Sequence, residues 1–597
     1  MGSPIMHITT LRGDAREKGL PMHTDQNLAS GLTRRSFIAG TLATGALLAM
    51  ASGSAALAED GGASAGATAQ PYDSDTNGAV QGGTLNWYLT NPVAIEPFGA
   101  EENQGVEVIY NLFDTLTTYN WEKGELVPLA CESYEPNEDA TQFTFHLRKE
   151  AKWHNGNPVT SKDFKYAWER LCRHDFKPAP STLGYKLTNI KGAEEMMTGQ
   201  GDELDIECPD DYTLVVNLKA PFAEFDAAVA DMATAPVPAG CTDTEEDFQK
   251  FRVAPIGNGP FQMDGQWEDG QYIKIKPFAD YWGDKPFLEG VNFQIFKDDQ
   301  TAWTEFQAGN LDFTSIPSGT FTLAQQSYGL AEKDGYVANP GKQTFLGEET
   351  SIYYLLVNNE DDVMSNKDVR IAVSYAINRK AICDSVLQGT KSPASNMIAP
   401  GVPGAEEGAW DHCPAEGDKA KAAEYFDKAG YPADASGKRN LSLTLSTNSG
   451  SANESIMTMI QADLQACGVD ASIDVQEWAA YIDAVQGGTY QMGRLGWTIQ
   501  VPTPYLVLQP LFYTGSGDNN SSYSNPDFDA AIDKACSVTD AEERVEAFKE
   551  ANKIAAEDFP VIPMFYYLHT YVASARVNNL FFNPSGYGRL TRCWLSA

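Results

Sequence analysis

Residues 141–170 constrain the fold of this chain more than any other stretch, because they specify a strand that runs directly into a tight turn. Phe143, Phe145 and Leu147 alternate with polar residues, which is the period of a half-buried strand. Residues 155–158 read Asn-Gly-Asn-Pro and predict a turn, because Gly tolerates positive φ and Pro cannot donate to a continuing ladder.

A capped amphipathic helix is predicted immediately after this turn. Thr160 and Asp163 have the spacing of a capping box, in which the two side chains satisfy backbone groups at the helix start. Behind them, Phe164, Ala167 and Trp168 fall on one helical face. The residues alone therefore predict a well-specified αβ packing unit that would fit many folds.

The same letters, FTFHLRKEAKWHNGNPVTSKDFKYAWER, resemble the signature of the extracytoplasmic oligopeptide-binding proteins, the family 5 solute-binding proteins of ABC importers. The resemblance implies an α/β fold of the periplasmic-binding-protein type, with two large lobes plus a smaller inserted domain. It further implies discontinuous lobes joined by hinge crossings, which close around a ligand. Such a receptor captures a peptide outside the cell and hands it to membrane permease subunits with their ATPases.

The length of 597 residues exceeds what one hydrophobic core serves, so two or three domains are expected. With the resemblance, the chain is predicted to begin with a signal peptide at 1–58 and a flexible linker at 59–81. The first lobe is predicted to be discontinuous, at 82–113, 239–350 and 566–597. A small inserted domain is predicted at 114–238 and a second lobe at 351–565. A helix near 541–556 and a strand at 561–567 are expected to rejoin the first lobe.

The N-terminal segment is interpreted as a targeting signal. Residues 33–38 carry a twin-arginine pattern, an apolar run follows at 38–50, and Ala56-Leu57-Ala58 fits a small-x-small cleavage site. We therefore expect export by the twin-arginine route to the periplasm or the outer face of the membrane. No cysteine precedes Cys131, so the lipobox that anchors many such receptors is missing.

The formal net charge of −38 makes nucleic acid and anionic lipid unlikely partners, since both would be repelled. Solubility or salt tolerance is the simpler reading of this charge. The nine cysteines include no Cys-x-x-Cys motif, so neither a zinc ribbon nor a redox centre is predicted. We expect a monomer without a cofactor.

Further along the chain, alternating or apolar runs predict strands at 211–219, 272–276, 291–296, 351–359 and 490–497. Residues 103–116 predict a helix, and Asn366 is predicted to cap another. Residues 441–476 read as strand, helix and strand, whose crossover implies a parallel pair.

Arg494 is the leading candidate for ligand binding, because it is a single cation in an otherwise apolar strand. A buried guanidinium needs an anionic partner, and a structural ion pair is as good an explanation as a ligand. The segment resembles the family's Arg-x-Gly-Trp motif, which lines the cleft. The resemblance implies that Arg494 meets a ligand carboxylate as a bidentate fork, that backbone groups near Gly496 and Thr498 pair with an extended peptide, and that Trp497 supplies a wall.

Gln500 departs from the family pattern. Peptide receptors that the segment resembles carry an Asp at this position, which pairs with the ammonium terminus of the peptide. Loss of a charge-assisted hydrogen bond, about 1.5–3 kcal/mol, weakens the preference for a free N-terminus about 10- to 100-fold. We hypothesise that the ligand is a peptide held differently or one lacking that ammonium.

The resemblance implies four further ligand-binding residues, each with a simpler alternative. Trp478 would form a side-chain pocket, or it is a core residue at a helix start. Tyr354 would line the cleft, or it packs in the core. Glu101 and Asn103 would pair with a peptide backbone, or they are solvated surface residues.

An exported hydrolase is the main rival class, but the chain has neither Gly-x-Ser-x-Gly nor His-Glu-x-x-His. The histidines after residue 58 show no metal-ligand spacing, so neither catalytic nor metal-binding residues are predicted. Capture of a metal chelate, haem or sugar by the same fold stays open, as does a chaperone or chemosensory role.

Overall fold

The computed structural model describes residues 78–596, apart from 101, 178–179, 318 and 450–451. The predicted twin-arginine pattern, apolar run and cleavage site lie outside the described residues, as does most of the predicted linker. Within the described part, no helix has the length and apolar character needed to cross a membrane. All nine cysteines fall in that part, and none of them forms a disulfide.

The strands, in chain order, are β1 Thr84–Leu89, β2 Thr117–Asn120, β3 Glu125–Pro128, β4 Cys131–Pro136, β5 Gln142–Leu147, β6 Ile206–Asp210, β7 Thr213–Asn217, β8 Phe261–Met263, β9 Tyr272–Pro277, β10 Gly290–Ile295, β11 Phe313–Ser315, β12 Val337–Ala338, β13 Glu348–Val357, β14 Lys391–Pro393, β15 Ser442–Asn448, β16 Asp470–Gln476, β17 Met492–Thr498, β18 Ile562–Leu568, β19 Tyr571–Ala573, β20 Val577–Asn578, β21 Leu580–Phe581 and β22 Trp594–Leu595.

The helices are α1 Asn103–Leu112, α2 Ser161–Cys172, α3 Ala193–Thr198, α4 Phe225–Ala228, α5 Glu245–Val253, α6 Asp299–Gln307, α7 Phe321–Tyr328, α8 Lys367–Ala376, α9 Arg379–Ser385, α10 Lys419–Lys428, α11 Asn453–Ala466, α12 Trp478–Gln486, α13 Tyr505–Phe512, α14 Pro526–Ser537 and α15 Ala541–Asp558. Short 3₁₀ helices lie at Pro97–Gly99, Thr182–Leu187, Met232–Thr234 and Leu590–Arg592.

The first sheet has the strand order β19-β11-β1-β10-β9-β8 and gathers strands from distant parts of the chain. β1 runs parallel to both β10 and β11, whereas β9 and β19 pair antiparallel with their neighbours. Trp87 of β1 stacks on Phe313 of β11 with ring centroids 3.7 Å apart. This aromatic contact packs the centre of the sheet.

The small sheet, β4-β5-β7-β6, contains the strand predicted from the Phe-x-Phe-x-Leu alternation. Phe143, Phe145 and Leu147 are all buried on β5, as that period requires. The predicted capping interaction is present at the start of α2, because the Asp163 carboxylate accepts from the Thr160 N–H at 2.8 Å and from its hydroxyl at 2.9 Å. Both predictions are confirmed.

The second sheet has the order β14-β18-β13-β17-β15-β16 and holds the candidate site. β15 and β16 are parallel over their full length, with α11 between them in sequence, as predicted. β13 pairs antiparallel with β17 on one side and with β18 on the other. Asn366 caps α8 by accepting from the Asp368 N–H, which confirms that prediction.

The expectation that α15 and the strand after it rejoin the first lobe is wrong. β18 lies between β13 and β14 in the second sheet, and α15 packs on α13 and α14. The predicted boundary at 565–566 falls inside this strand, because β18 continues to Leu568 as the pairing partner of β13. The chain returns to the first sheet only at β19, which pairs with β11.

The first predicted helix, 103–116, is also too long, because α1 ends at Leu112. The Leu112 carbonyl accepts from the Gly259 N–H at 2.8 Å, and the Asn258 side chain accepts from the Asp114 N–H at 2.9 Å. These partners come from a distant loop, so they satisfy the end of α1 in a way that no local pattern records.

Candidate functional site

Strand β17 presents the two halves of the Arg-x-Gly-Trp motif on opposite faces of the second sheet. Side chains alternate along a strand, so Arg494, Gly496 and Thr498 share one face while Leu495 and Trp497 share the other. The face that carries Arg494 is completed by alternate residues of β13, whose register is fixed by the antiparallel pairing.

The guanidinium of Arg494 lies among neutral groups. Its Nε donates to Oδ1 of Asn448 at 2.9 Å, and its Nη2 donates to the same oxygen. Its Cζ is 5.3 Å from the ring centroid of Trp478 and 6.0 Å from that of Tyr353. No Asp or Glu in the described ranges forms an ion pair with Arg494. The structural ion pair considered as the alternative to a ligand is therefore not found there.

Tyr481 of α12 holds the backbone of Arg494 in place. Its hydroxyl accepts from the Arg494 N–H and donates to the Arg494 carbonyl, both at 2.7 Å. A Cβ at Gly493 would come within 2.5 Å of that hydroxyl, so glycine is required for this contact. One turn earlier on α12, Trp478 is thereby kept beside Arg494, with half of its surface exposed. It is not a core residue.

Two tyrosine rings border the same cation. Burial raises the pKa of Tyr353, and the positive charge of Arg494 opposes that shift. The same two effects act on Tyr567 of β18. Gly496 is exposed between these elements, and a Cβ there would lie 3.1 Å from the Tyr567 hydroxyl. A bound chain can thus approach the backbone of β17 closely at this point.

The end of β17 contacts a different part of the molecule. The Thr498 hydroxyl accepts from Ser351 at 2.9 Å, and the Trp497 indole N–H donates to the Leu506 carbonyl at 2.8 Å. Oε1 of Gln500 accepts from the Met232 N–H at 3.0 Å. These residues are therefore already engaged within the protein.

A narrow cavity of about 40 Å³ lies beside this end of the strand and is lined by Trp497, Thr498 and Gln500. On its other wall, Nζ of Lys186 lies 2.7 Å from Oδ2 of Asp231. The Asp231 carboxylate in this wall is therefore already paired with Lys186.

The remaining predicted residues lie elsewhere. Tyr354 is 2% exposed and points to the face opposite Arg494, which fits the core-packing alternative. Asn103 is exposed at the start of α1, and its Oδ1 accepts from the Tyr587 hydroxyl at 3.0 Å. Glu101 lies outside the described residues. The structure therefore brings Arg494 and Trp478 together, groups Trp497, Thr498 and Gln500 at one cavity, and separates Tyr354 and Asn103 from Arg494.

A charged group at the start of β13 was not predicted. The Glu349 carboxylate lies 2.9 Å from Nδ1 of the fully buried His569. Burial alone would raise the pKa of Glu349, but the bond to His569 and the charge of Lys391 outweigh burial and hold this pKa below its usual value. The carboxylate at the start of β13 is therefore held in its ionised form beside His569.

Comparison with known proteins gives a consistent result. The family model for bacterial extracellular solute-binding proteins, family 5, matches residues 125–519. The oligopeptide-binding protein OppA of Bacillus subtilis is 28% identical over 510 residues, which cover 84% of this chain and 91% of that protein. The probable deoxycholate-binding periplasmic protein YgiS of Escherichia coli is 26% identical over 484 residues, 80% of this chain and 86% of that protein.

A solved structure shows the same architecture. The murein tripeptide-binding protein MppA of Escherichia coli aligns with a TM-score of 0.73 at 25% identity, covering 86% of this chain and 98% of that structure. The predicted mixed α/β architecture is therefore that of a known binding protein.

Proposed function

The chain belongs to the bacterial extracellular solute-binding proteins of family 5, and on that premise we propose that it is the ligand-capturing component of an ABC importer. It binds a peptide in a cleft between two lobes that close by hinge motion. It then delivers the ligand to a membrane permease with its ATPases. It belongs to a family of binding proteins rather than enzymes, and no catalytic step is proposed for it.

The observation that carries this proposal is the environment of Arg494. A half-buried guanidinium with only a neutral amide as hydrogen-bond partner among the described residues is costly to maintain. A ligand carboxylate would accept a bidentate pair of hydrogen bonds from it and remove that cost. Trp478 and Tyr353 would cover the pair and keep water from it.

A peptide would continue from Arg494 along β17. The exposed backbone around Gly496 offers main-chain groups to an extended ligand, as in strand addition. Affinity gained through the main chain makes little demand on ligand side chains, so the receptor would accept many sequences.

The opposite end of the ligand would meet Gln500, which carries no charge. Its amide oxygen already accepts from Met232, and Asp231 is paired with Lys186. An ammonium terminus would therefore find no unpaired carboxylate among the residues that line the cavity at Gln500. The proposal is that a free N-terminus contributes little to binding.

A carboxylate-bearing ligand that is not a peptide is the second candidate. The uncharged Gln500 favours it, and one relative is named as a probable deoxycholate-binding protein. Such a ligand would use Arg494 in the same way and lie on the exposed Trp478.

Calorimetric titration with tetraalanine and its two capped forms tests both candidates. The proposal expects the N-acetylated peptide to bind within about threefold of the free peptide, because no charge receives the ammonium. It expects the C-amidated peptide to bind at least tenfold more weakly, because Arg494 loses its anion. Strong preference for the free N-terminus would contradict the peptide orientation. Binding of deoxycholate with no binding of any peptide would favour the second candidate.

Export and domain boundaries complete the proposal. We propose twin-arginine export to the periplasm or to the outer face of the cell membrane, a monomer, and a division into domains near residues 114, 239 and 351. The second lobe ends after β18 rather than at 565, because that strand belongs to the second sheet. Replacement of Arg34 and Arg35 by lysine should leave the precursor inside the cell, as followed by cell fractionation.

A further inference from the structure

A second cavity, of about 400 Å³, lies beside α2 and the start of α5. Its volume falls within the range of small-molecule sites in proteins. Its lining includes Arg170, Phe176, Met196 and Thr244, and it shares no residue with the lining of the cavity at Gln500. The proposed function therefore does not use it.

Arg170 is the buried cation of this cavity, with 4% of its surface exposed. The guanidinium is held between two phenyl rings, since its Cζ lies 3.3 Å from the ring centroid of Phe98 and 3.6 Å from that of Phe176. Its Nε donates to the Thr242 hydroxyl at 3.0 Å. Stacking between the two rings fixes the plane of the Arg170 guanidinium in an environment with little access to water.

The two terminal nitrogens of Arg170 make no hydrogen bond within the described residues, and the side chain lines the cavity. Each carries two N–H donors, and these are open to the cavity rather than sealed in the protein interior. No carboxylate in the described residues lies within ion-pair distance of Arg170, and the buried carboxylate of Glu96 attracts its charge only from farther away. An acceptor in the cavity would satisfy these donors as a planar pair.

The start of α5 adds a second source of positive potential. Thr244 accepts from the Asp247 N–H at 3.1 Å, which leaves the first N–H groups of this nine-residue helix directed out of its end. Thr244 and Glu245 both line the cavity. The helix end and the guanidinium therefore favour the same sign of ligand charge.

The lining carries five acidic side chains against the basic Arg170, Arg173 and Lys177, besides His174, and this excess limits the negative charge that a ligand can bring. Three of them already have partners: Glu169 with Lys165 at 3.6 Å, Asp175 with Arg173 at 3.3 Å, and Asp243 with the Tyr166 hydroxyl at 2.8 Å. Asp202 and Glu245 are exposed at the rim and would repel a multiply charged phosphate. A single carboxylate is the anion that fits.

We infer that this cavity binds a small monocarboxylic acid, whose carboxylate accepts hydrogen bonds from both terminal nitrogens of Arg170 and whose apolar chain lies against Phe176 and Met196. The site is separate from the peptide cleft and does not depend on the function proposed for it.

Calorimetric titration of the full chain with hexanoate tests this inference, with hexanamide as the uncharged probe of the same shape. Hexanoate should bind at least tenfold more tightly than hexanamide and more tightly than inorganic phosphate. In an Arg494→Met background, which removes the carboxylate site proposed for the cleft, Arg170→Met should weaken hexanoate binding at least tenfold. In the same background Lys553→Met, which removes one exposed positive charge, should leave hexanoate binding unchanged. Circular dichroism checks that each variant is folded.

Several results would overturn the inference: no hexanoate binding, equal binding of hexanamide, tighter binding of phosphate, or hexanoate binding that Arg170→Met leaves unchanged. If Arg170→Met does not fold, Arg170→Lys takes its place, because it keeps the charge but lacks the planar fork. Hexanoate binding should then fall at least fivefold, and unchanged binding would contradict the proposed contact.

Discussion

At the scale of single residues, Arg494 depends on neighbours that fix its position without neutralising it. Tyr481 holds its backbone, Asn448 holds its Nε, and Trp478 covers one side of the guanidinium. None of these groups carries a negative charge. The side chain is therefore positioned before a ligand arrives, which lowers the entropy cost of binding.

Replacing Arg494 separates charge from geometry. Arg494→Met should weaken binding of a peptide with a free carboxylate about 10- to 100-fold, because a charge-assisted pair of about 1.5–3 kcal/mol is lost. Arg494→Lys should recover only part of this loss, since an ammonium cannot form the fork. Titration calorimetry measures both. Equal affinity of wild type and Arg494→Met would show that this cation does not meet the ligand, and Lys553→Met serves as a control for removing one exposed positive charge.

Gln500→Asp tests the uncharged end of the site. The substitution places a negative charge at this end of the site, where it can pair with an ammonium terminus. The variant should prefer free over N-acetylated tetraalanine by at least tenfold, whereas Gln500→Asn, of the same size but neutral, should not. If the aspartate variant shows no new preference, the peptide terminus lies elsewhere.

The sequence identified Arg494 because a lone cation in an apolar strand is conspicuous, and Trp478 through the resemblance. The sequence could not show that Tyr353, rather than Tyr354, lies on the same face as Arg494. The face on which each tyrosine lies depends on the register between β13 and β17, and that register is a contact between distant segments. Tyr481 and Asn448 were missed for the same reason, since their partners lie on another strand.

At the scale of elements, the turn after β5 is fixed to the end of α1 through His154. Its Nδ1 accepts from the Gly257 N–H at 3.0 Å, and its Nε2 donates to the Gly259 carbonyl at 3.2 Å. Cβ atoms at Gly257 and Gly259 would come within 2.0 Å and 2.6 Å of Leu112 backbone atoms. The Gly-x-Gly of this loop therefore serves close backbone packing.

Burial lowers the pKa of His154 to about 4, below its usual 6.5. Between these values the unfolded chain takes up a proton that the folded chain does not, so the free energy of unfolding falls as pH falls through this window. At pH 5 the loss is about 2 kcal/mol relative to pH 7. Denaturant unfolding at the two pH values measures this loss. The fall in the free energy of unfolding from pH 7 to pH 5 should be about 2 kcal/mol smaller in His154→Gln than in wild type.

His146→Gln is the matched control, because it also removes one histidine, but a half-exposed one whose Nε2 lies 3.2 Å from Oε1 of Glu135. The free energy of unfolding of His146→Gln should fall between pH 7 and pH 5 by clearly more than that of His154→Gln. Asp226, whose pKa burial raises to about 6, contributes in the opposite direction, but it does so equally in all three proteins. An unchanged pH response in His154→Gln would contradict a neutral, buried imidazole at this turn.

Local patterns predicted the elements that are specified locally. The alternation in β5, the capping pair of α2 and the parallel pair β15–β16 are encoded within short stretches. The end of α1 and the sheet assignment of β18 were not predictable in that way. Each is decided by a partner more than one hundred residues away in the chain.

At the scale of the whole molecule, the segment after the small sheet docks on the helices of the second sheet. Glu224 lies 2.9 Å from Nε of Arg544 on α15 and also accepts from the Thr503 hydroxyl. The Asn189 amide donates to the Tyr505 hydroxyl at 2.9 Å. These contacts connect parts of the chain that the sequence assigns to different domains.

The Glu224–Arg544 pair is largely buried, with side chains 11% and 15% exposed. Removing one partner leaves an uncompensated charge, so Arg544→Met should cost about 3 kcal/mol of unfolding free energy. The double variant Glu224→Gln/Arg544→Met should cost clearly less than the sum of the single ones. Denaturant unfolding measures the cycle. Additive costs would show that the pair does not couple the two parts.

The exposed pair Lys380–Asp384 provides the control cycle, because its side chains are 50% and 59% exposed. Its coupling should stay below about 0.5 kcal/mol. A coupling as large as that of Glu224 with Arg544 would mean that burial does not explain the difference.

The central claim is that the chain holds a carboxylate-bearing guest at Arg494 and releases it unchanged. Native mass spectrometry of the protein purified from its own cells, beside Arg494→Met purified in the same way, tests this most directly. Wild type should carry added masses that correspond to peptides or other carboxylic acids, recovered intact on denaturation, and the variant should have lost them. Guests retained equally by both proteins, or recovered only as cleaved products, would contradict the account.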